Sequence, residues 1–177
     1  MSPLFSVTTT YTPELYEKML EFDFDLKFKK RAILFYVLGG ILLVLSCLLF
    51  LLEKASPLFL LCVFMVAFCF CYPMLLKKLI VTITIRNALR SDSIFFSQTF
   101  FCEFFEEYLE QKSTQSALMI YYPQLYKAYE IPDAFYLYQS RQKAIILPKA
   151  NFTLGSPQDF SLFLQQKAGD RFFPAVS

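Results

Sequence analysis

The fold class predicted for this chain of 177 residues is an α-helical membrane hairpin plus an α+β cytoplasmic domain, a small antiparallel sheet closed by a C-terminal helix. Three observations predict it. Two apolar runs, Ala32 to Leu52 and Leu58 to Leu76, stand almost back to back, with only Glu53, Lys54, Ala55, Ser56 and Pro57 between them. Basic residues crowd the outer ends of both runs. From Ser97 onward the apolar residues fall into short alternating runs separated by turn formers, which is the strand pattern.

The first run carries no charge across about 21 residues, and at about 1.5 Å per residue a helix of that length is roughly 31 Å long, the thickness of a bilayer's hydrocarbon core. Its Leu, Ile, Phe and Val content makes insertion favourable by an amount on the order of 5 kcal/mol. The second run is about as long and, with Pro73 and three cysteines, inserts less strongly. Buried helices of a soluble core seldom reach such lengths without a charge. A cleaved leader is a poor fit as well, because the apolar core is too long and no small-residue cleavage pattern precedes Glu53. Backbone groups in lipid must be satisfied internally, so both runs are expected to be helices. The short connection makes them antiparallel neighbours.

Orientation follows from Lys27, Lys29, Lys30 and Arg31 before the first helix and Lys77 and Lys78 after the second, since positive flanks stay inside. The expected location is therefore the cell membrane, multi-pass, with both termini cytoplasmic. The same six residues are candidates for contact with anionic headgroups, worth about 1 kcal/mol per basic residue near a charged leaflet. With a net charge of only +2, nucleic acid is not an indicated partner. A composition 56% hydrophobic and 19% aromatic, with mean hydropathy +0.43, exceeds that of an ordinary soluble domain.

In chain order, residues 1–31 read as an N-terminal cytoplasmic strand and helix. Phe5, Val7 and the threonines 8 to 10 favour a strand, and Thr12-Pro13-Glu14 starts a helix, with Thr12 as N-cap and Pro13 in the first turn. Phe22, Phe24, Leu26 and Phe28 alternate with charged residues, a strand period, but the helix is preferred because this segment runs directly into a membrane span. Residues 32–76 are the hairpin. Gly39, Gly40, Ser46, Cys47, Cys62 and Cys69 are small residues at matching depths, expected to let the two helices approach closely. In the connector 77–96, β-branched Ile80 to Ile85 favour a strand and continuity favours a helix, which is the reading taken here. Residues 97–169 form the β-rich domain, with strands at 98–105, 108–112, 117–121, 125–130, 135–139 and 144–147. Ser156-Pro157 opens the last helix, Asp159 completes its cap and Gly169 ends it. Residues 170–177 are expected to fray.

Chemistry is sparse. Histidine is missing, and the four glycines build no phosphate loop. The acidic groups around Glu103 to Glu110 and Glu21 to Asp25 lack the spacing of a metal loop and read as solvated faces. Four of five cysteines lie in the spans as small apolar side chains. No cofactor, metal or catalytic residue is expected, and no enzyme. Tyr126, Tyr129, Tyr136 and Tyr138, with Lys149, are the candidate surface for an unknown protein partner.

The stretch YKAYEIPDAFYLYQSRQKAIILPKANFTLGSPQDFSLFL, Tyr126 to Leu164, resembles the cytoplasmic domain of the YcxB-like family of bacterial membrane proteins. The likeness is carried by the Tyr126/Tyr129 pair, Phe135-Tyr136-Leu137-Tyr138, Ile145-Ile146-Leu147-Pro148-Lys149 with Phe152 behind it, and Gly155-Ser156. Two membrane helices ahead of such a domain are also the family pattern. The resemblance implies a fold and a topology rather than an activity. The function expected is an interaction or regulatory module at the membrane surface; the alternative is a small accessory subunit of a transport or export assembly.

Overall fold

A computed structural model describes residues 2–53, 57–91, 96, 98–113 and 116–174. The expected connection at residues 54–56, the start of β structure at Ser97 and the break at Thr114-Gln115 lie outside them. The described chain forms two compact units, residues 16–91 and residues 1–15 with 92–177.

The first unit is helical. α1 (Pro13–Glu53) begins where Thr12 predicts, its Oγ1 accepting the Leu15 N–H at 3.2 Å. It continues without interruption through the basic flank for 41 residues, so the alternating Phe22 to Phe28 segment is helical. α2 (Pro57–Ser91) likewise carries Ile80 to Ile85 as helix. The Thr84 hydroxyl there donates to the Ile80 carbonyl at 2.8 Å, a back-bond that accommodates a β-branched alcohol on a helix. Both helices are long and apolar enough to cross a membrane, and in the most apolar window of each only 11% is buried.

The second unit is the α+β domain. Its strands are β1 (Phe5–Thr10), β2 (Thr99–Phe104), β3 (Tyr108–Lys112), β4 (Ala117–Tyr121), β5 (Lys127–Glu130), β6 (Ala134–Tyr138), β7 (Ala144–Pro148), β8 (Phe152–Leu154) and β9 (Phe172–Phe173), with α3 (Pro157–Ala168) before the last. They make two sheets, β4-β3-β2-β1-β8 and β7-β6-β5-β9. All pairs are antiparallel except β5 with β9.

The α+β domain with its antiparallel sheets and C-terminal helix is the expected fold class, and two features go beyond it. β1 comes from the segment before the helices, yet it pairs along its whole length with β2, Phe5 opposite Phe104 and Thr10 opposite Thr99. The hydroxyls of Thr10 and Thr99, 89 residues apart in the chain, meet at 3.1 Å. The tail also does not fray at Asp170. A 3-10 turn at Gly169–Arg171 leads into β9, and Arg171 Nη1 donates to the carbonyls of Pro123 at 2.6 Å and Leu125 at 2.9 Å, which fixes that end.

α3 is capped as expected, the Ser156 Oγ accepting from the Asp159 N–H at 3.1 Å and donating to its carboxylate at 2.7 Å. Gly169 supplies the positive φ of 53° at its end. The core gathers Val7, Cys102, Phe104 and Leu109 from the first sheet, Phe135, Leu137, Ile145 and Leu147 from the second, and Phe160 and Leu164 from α3. Phe160 is fully buried, its ring 5.2 Å from Phe5, 4.6 Å from Phe104, 5.0 Å from Phe135 and 5.2 Å from Phe152. Packing these five rings together, three of them buried and Phe5 and Phe152 partly so, contributes to the domain's apolar driving force.

Candidate functional site

The cations expected at headgroup depth divide into two kinds. On α1, Lys27 is held by Asp23 one turn back. Lys77 of α2 reaches across to Asp25 of α1 at 2.8 Å, joining the helices. Arg31 lies over the Phe28 ring, 5.5 Å from its centroid. Lys29, Lys30 and Lys78 are exposed and make no salt bridge among the described residues. Arg31 also lines a cavity of about 170 Å³ with Phe24, Phe28, Phe35, Tyr72 and Pro73. A cation above aromatic rings is the arrangement that suits the boundary between water and hydrocarbon.

The six small residues expected between the helices differ in burial. Gly39, Ser46, Cys62 and Cys69 are buried. A methyl on Gly39 would stand 3.0 Å from the Phe70 ring and 3.2 Å from the Cys69 Cβ. Gly40 and Cys47 are the correction. Gly40 would meet nothing within 4 Å and Cys47 is exposed. Successive helical residues point about 100° apart, so one of each adjacent pair must leave the seam. The seam selects Gly39 and Ser46, seven residues apart, as Cys62 and Cys69 are.

In the α+β domain the four tyrosines separate. Tyr126 is 41% exposed. Tyr129 is half-buried, stacked on Phe173 at 4.8 Å and edge-on to Tyr138 at 5.7 Å. Tyr136 and Tyr138 are buried, which corrects their assignment to a partner surface: all five residues of β6 are buried, so both faces of that central strand are covered. Burial, and then the carboxylate of Asp133, push the Tyr136 phenol up to about 12.

Lys149 is likewise engaged. Its Nζ donates to Glu130 Oε1 at 2.7 Å and sits 5.0 Å from the Phe135 ring centroid. The other carboxylate oxygen of Glu130 accepts from the Ser161 hydroxyl at 2.6 Å. One mostly buried carboxylate thus ties β5 to α3 and to the turn after β7. With both oxygens engaged, it clamps the three elements together. Nothing in the sequence pairs residues 19 and 31 apart, and the only sign was an acid in a strand that is otherwise apolar on that side.

Other buried polar groups are also structural. The Tyr122 hydroxyl donates to the carbonyls of Phe105 at 2.7 Å and Tyr108 at 3.1 Å, closing the β2–β3 turn from inside, and burial raises its pKa. The Tyr11 hydroxyl accepts the Ile146 N–H at 3.3 Å, and burial raises this phenol too. Cys102 is fully buried in the first sheet, its thiol pushed up to about 12 by burial and so kept protonated. On the outer face of that sheet Lys112 bridges Glu103 and Glu110, each at 3.0 Å, and these bonds raise its pKa. Lys112 thereby offsets part of the repulsion between the like-charged pair facing across β2 and β3.

Residues 104–164, from the end of β2 to α3, match the family model described as YcxB-like protein. No curated protein and no solved structure matches the chain.

Proposed function

We propose that this chain, which carries a YcxB-like domain behind two apolar helices, is a non-enzymatic multi-pass protein of the cell membrane. Its termini face the cytoplasm, and its α+β domain is an interaction or regulatory module beside the headgroups. The observation that carries this is the pairing of β1 with β2. For Thr10 and Thr99 to meet, the chain must return to the side it left, so it crosses the bilayer an even number of times between them. α1 and α2 supply two crossings. From Ile33 to Leu51 of α1 and from Leu60 to Leu75 of α2 the exposed residues are apolar, a surface that water tolerates poorly and lipid accepts. The exposed Lys29, Lys30 and Lys78 support a cytoplasmic, anionic leaflet at that end.

The experiment combines extraction with protease protection. The chain should stay with membranes through an alkaline wash and leave them only with detergent. Protease added outside intact cells should spare the α+β domain and digest it once the cells are opened. Release into water without detergent, or digestion from outside, refutes the reading. Isolation from mild detergent then separates the two roles: a soluble protein held by the domain supports a regulatory module, whereas a transporter recovered in stoichiometric amounts makes it an accessory subunit.

A further inference from the structure

Four strands form the open edges of the two sheets, and three of them are protected. β8 has three residues and β9 two, too short to template another strand. β7 ends in Pro148 and gives its Ile146 N–H to the Tyr11 hydroxyl. β4 is different. Its five residues, Ala-Leu-Met-Ile-Tyr, contain no charge and no proline, the two usual guards of an edge.

The hydrogen-bond parity of β4 can be read from its ends. Ser113 N–H donates to the Ser116 carbonyl, and Tyr122 N–H donates to the Glu107 carbonyl. Bonded pairs recur at every second position of an antiparallel ladder, so Leu118 and Ile120 direct their backbone groups to β3. Ala117, Met119 and Tyr121 direct theirs away from it, to the open side, where the described residues offer no partner. Leu118 adds a second sign. It shares the core face with Ile120, yet it is 41% exposed, because the sheet stops at this strand.

We propose that β4 joins two copies of this chain, pairing antiparallel with β4 of a second copy about a two-fold axis through Met119. That register sets Met119 against Met119 and Ala117 against Tyr121, so every outward-directed residue exchanges both of its backbone bonds. A slip of one residue would turn core side chains to the outer face, and a slip of two would leave bonds unmade. Leu118 falls opposite Ile120 of the second copy, extending the apolar inner face across the joint. The largest outer side chain, Tyr121, falls beside the smallest, Ala117. With no charge in the strand, nothing opposes self-pairing. These features favour a second copy over a foreign peptide, whose sequence would have no reason to match. The inference uses the α+β domain alone, and its failure leaves the membrane reading intact.

The test uses the full chain in its membrane or in mild detergent, with exposed Cys47 and Cys71 replaced by Ala. Met119→Cys should give a disulfide-linked dimer on mild oxidation, the paired Cα atoms being about 5.5 Å apart. Phe101→Cys, exposed on the same sheet face but two strands inward, should not. Met119→Lys should abolish the dimer seen by mass measurement while Cys102 stays protected from alkylation, the sign of an intact domain. No crosslink at Met119→Cys overturns the proposal. So does a dimer that survives Met119→Lys, which would place the contact elsewhere, or a photo-crosslinker at Met119 that captures only another protein.

Discussion

Replacing Glu130 by Ala removes the centre of a three-part clamp, and the cost can be worked from the distances. Glu130 holds Lys149 at 2.7 Å, with the two side chains 14% and 23% exposed, and it holds the Ser161 hydroxyl at 2.6 Å. A hydrogen bond to a charged group contributes about 1.5–3 kcal/mol, and breaking a fully buried pair costs about 3–5 kcal/mol. Lys149 can swing partly into water, so Glu130→Ala should destabilise the domain by about 2–3 kcal/mol. Cys102 supplies the assay, because a fully buried thiol reacts only when the domain opens. Its alkylation, followed peptide by peptide, should accelerate roughly 30- to 150-fold. The double variant Glu130→Gln with Lys149→Met removes both charges and should recover most of the loss, to within about 1 kcal/mol of the parent. An acceleration below about threefold for Glu130→Ala, or a double variant no better than the single one, refutes the clamp.

Gly155→Ala should cost about 2–4 kcal/mol in the same assay, since φ is +79° and the new methyl enters the Phe5 ring, whereas Gly169→Ala, with open space but φ +53° and ψ −127°, should cost about 1–3 kcal/mol from backbone strain alone. Gly39→Val should lower the thermal midpoint of the helical unit in detergent by the equivalent of about 1–3 kcal/mol, while Gly40→Val leaves it unchanged or higher. Deleting residues 2–12 should leave the helices in place and expose Cys102 to alkylation at the unfolded rate, because β1 lies inside the first sheet. Alkaline pH should weaken the domain. The Cys102 thiol rises from 9.0 and the Tyr136 phenol from 10.0, each to about 12, so the folded state keeps protons that the unfolded chain has lost. Stability is then full below about pH 9 and falls as pH climbs toward 12, measurable as a falling thermal midpoint by circular dichroism.

What could be read from the sequence was local. Thr12, Ser156 with Asp159, and Gly169 announce helix ends through bonds that span three or four residues, and each does so in the structure. The uncharged runs declare their helices by length, and β2 to β7 declare themselves by alternation between turn formers. Beyond that range the pattern is silent. β1 meets β2 mainly through backbone groups that every residue possesses, 89 positions apart at Thr10 and Thr99, so no local pattern records the partnership. β9 is two residues long, too short for any period. The choice between Gly39 and Gly40 turns on the rotation of one helix about its axis, which adjacent identical residues cannot encode. Tyr136 and Tyr138 look like surface aromatics in a list of strands, and only the second sheet, with β6 covered on both faces, makes them core.

The interior position of β1, between β2 and β8, also sets a timetable for biogenesis. This strand is made before both apolar helices and its partner β2 after them, so it waits unpaired while the two helices are synthesised. On the proposed topology, insertion of only one helix would strand the two halves of the ladder in different compartments, and no domain would form. On that topology a completed sheet reports correct threading, and a mis-inserted chain would present an orphan β2 and a ruptured core.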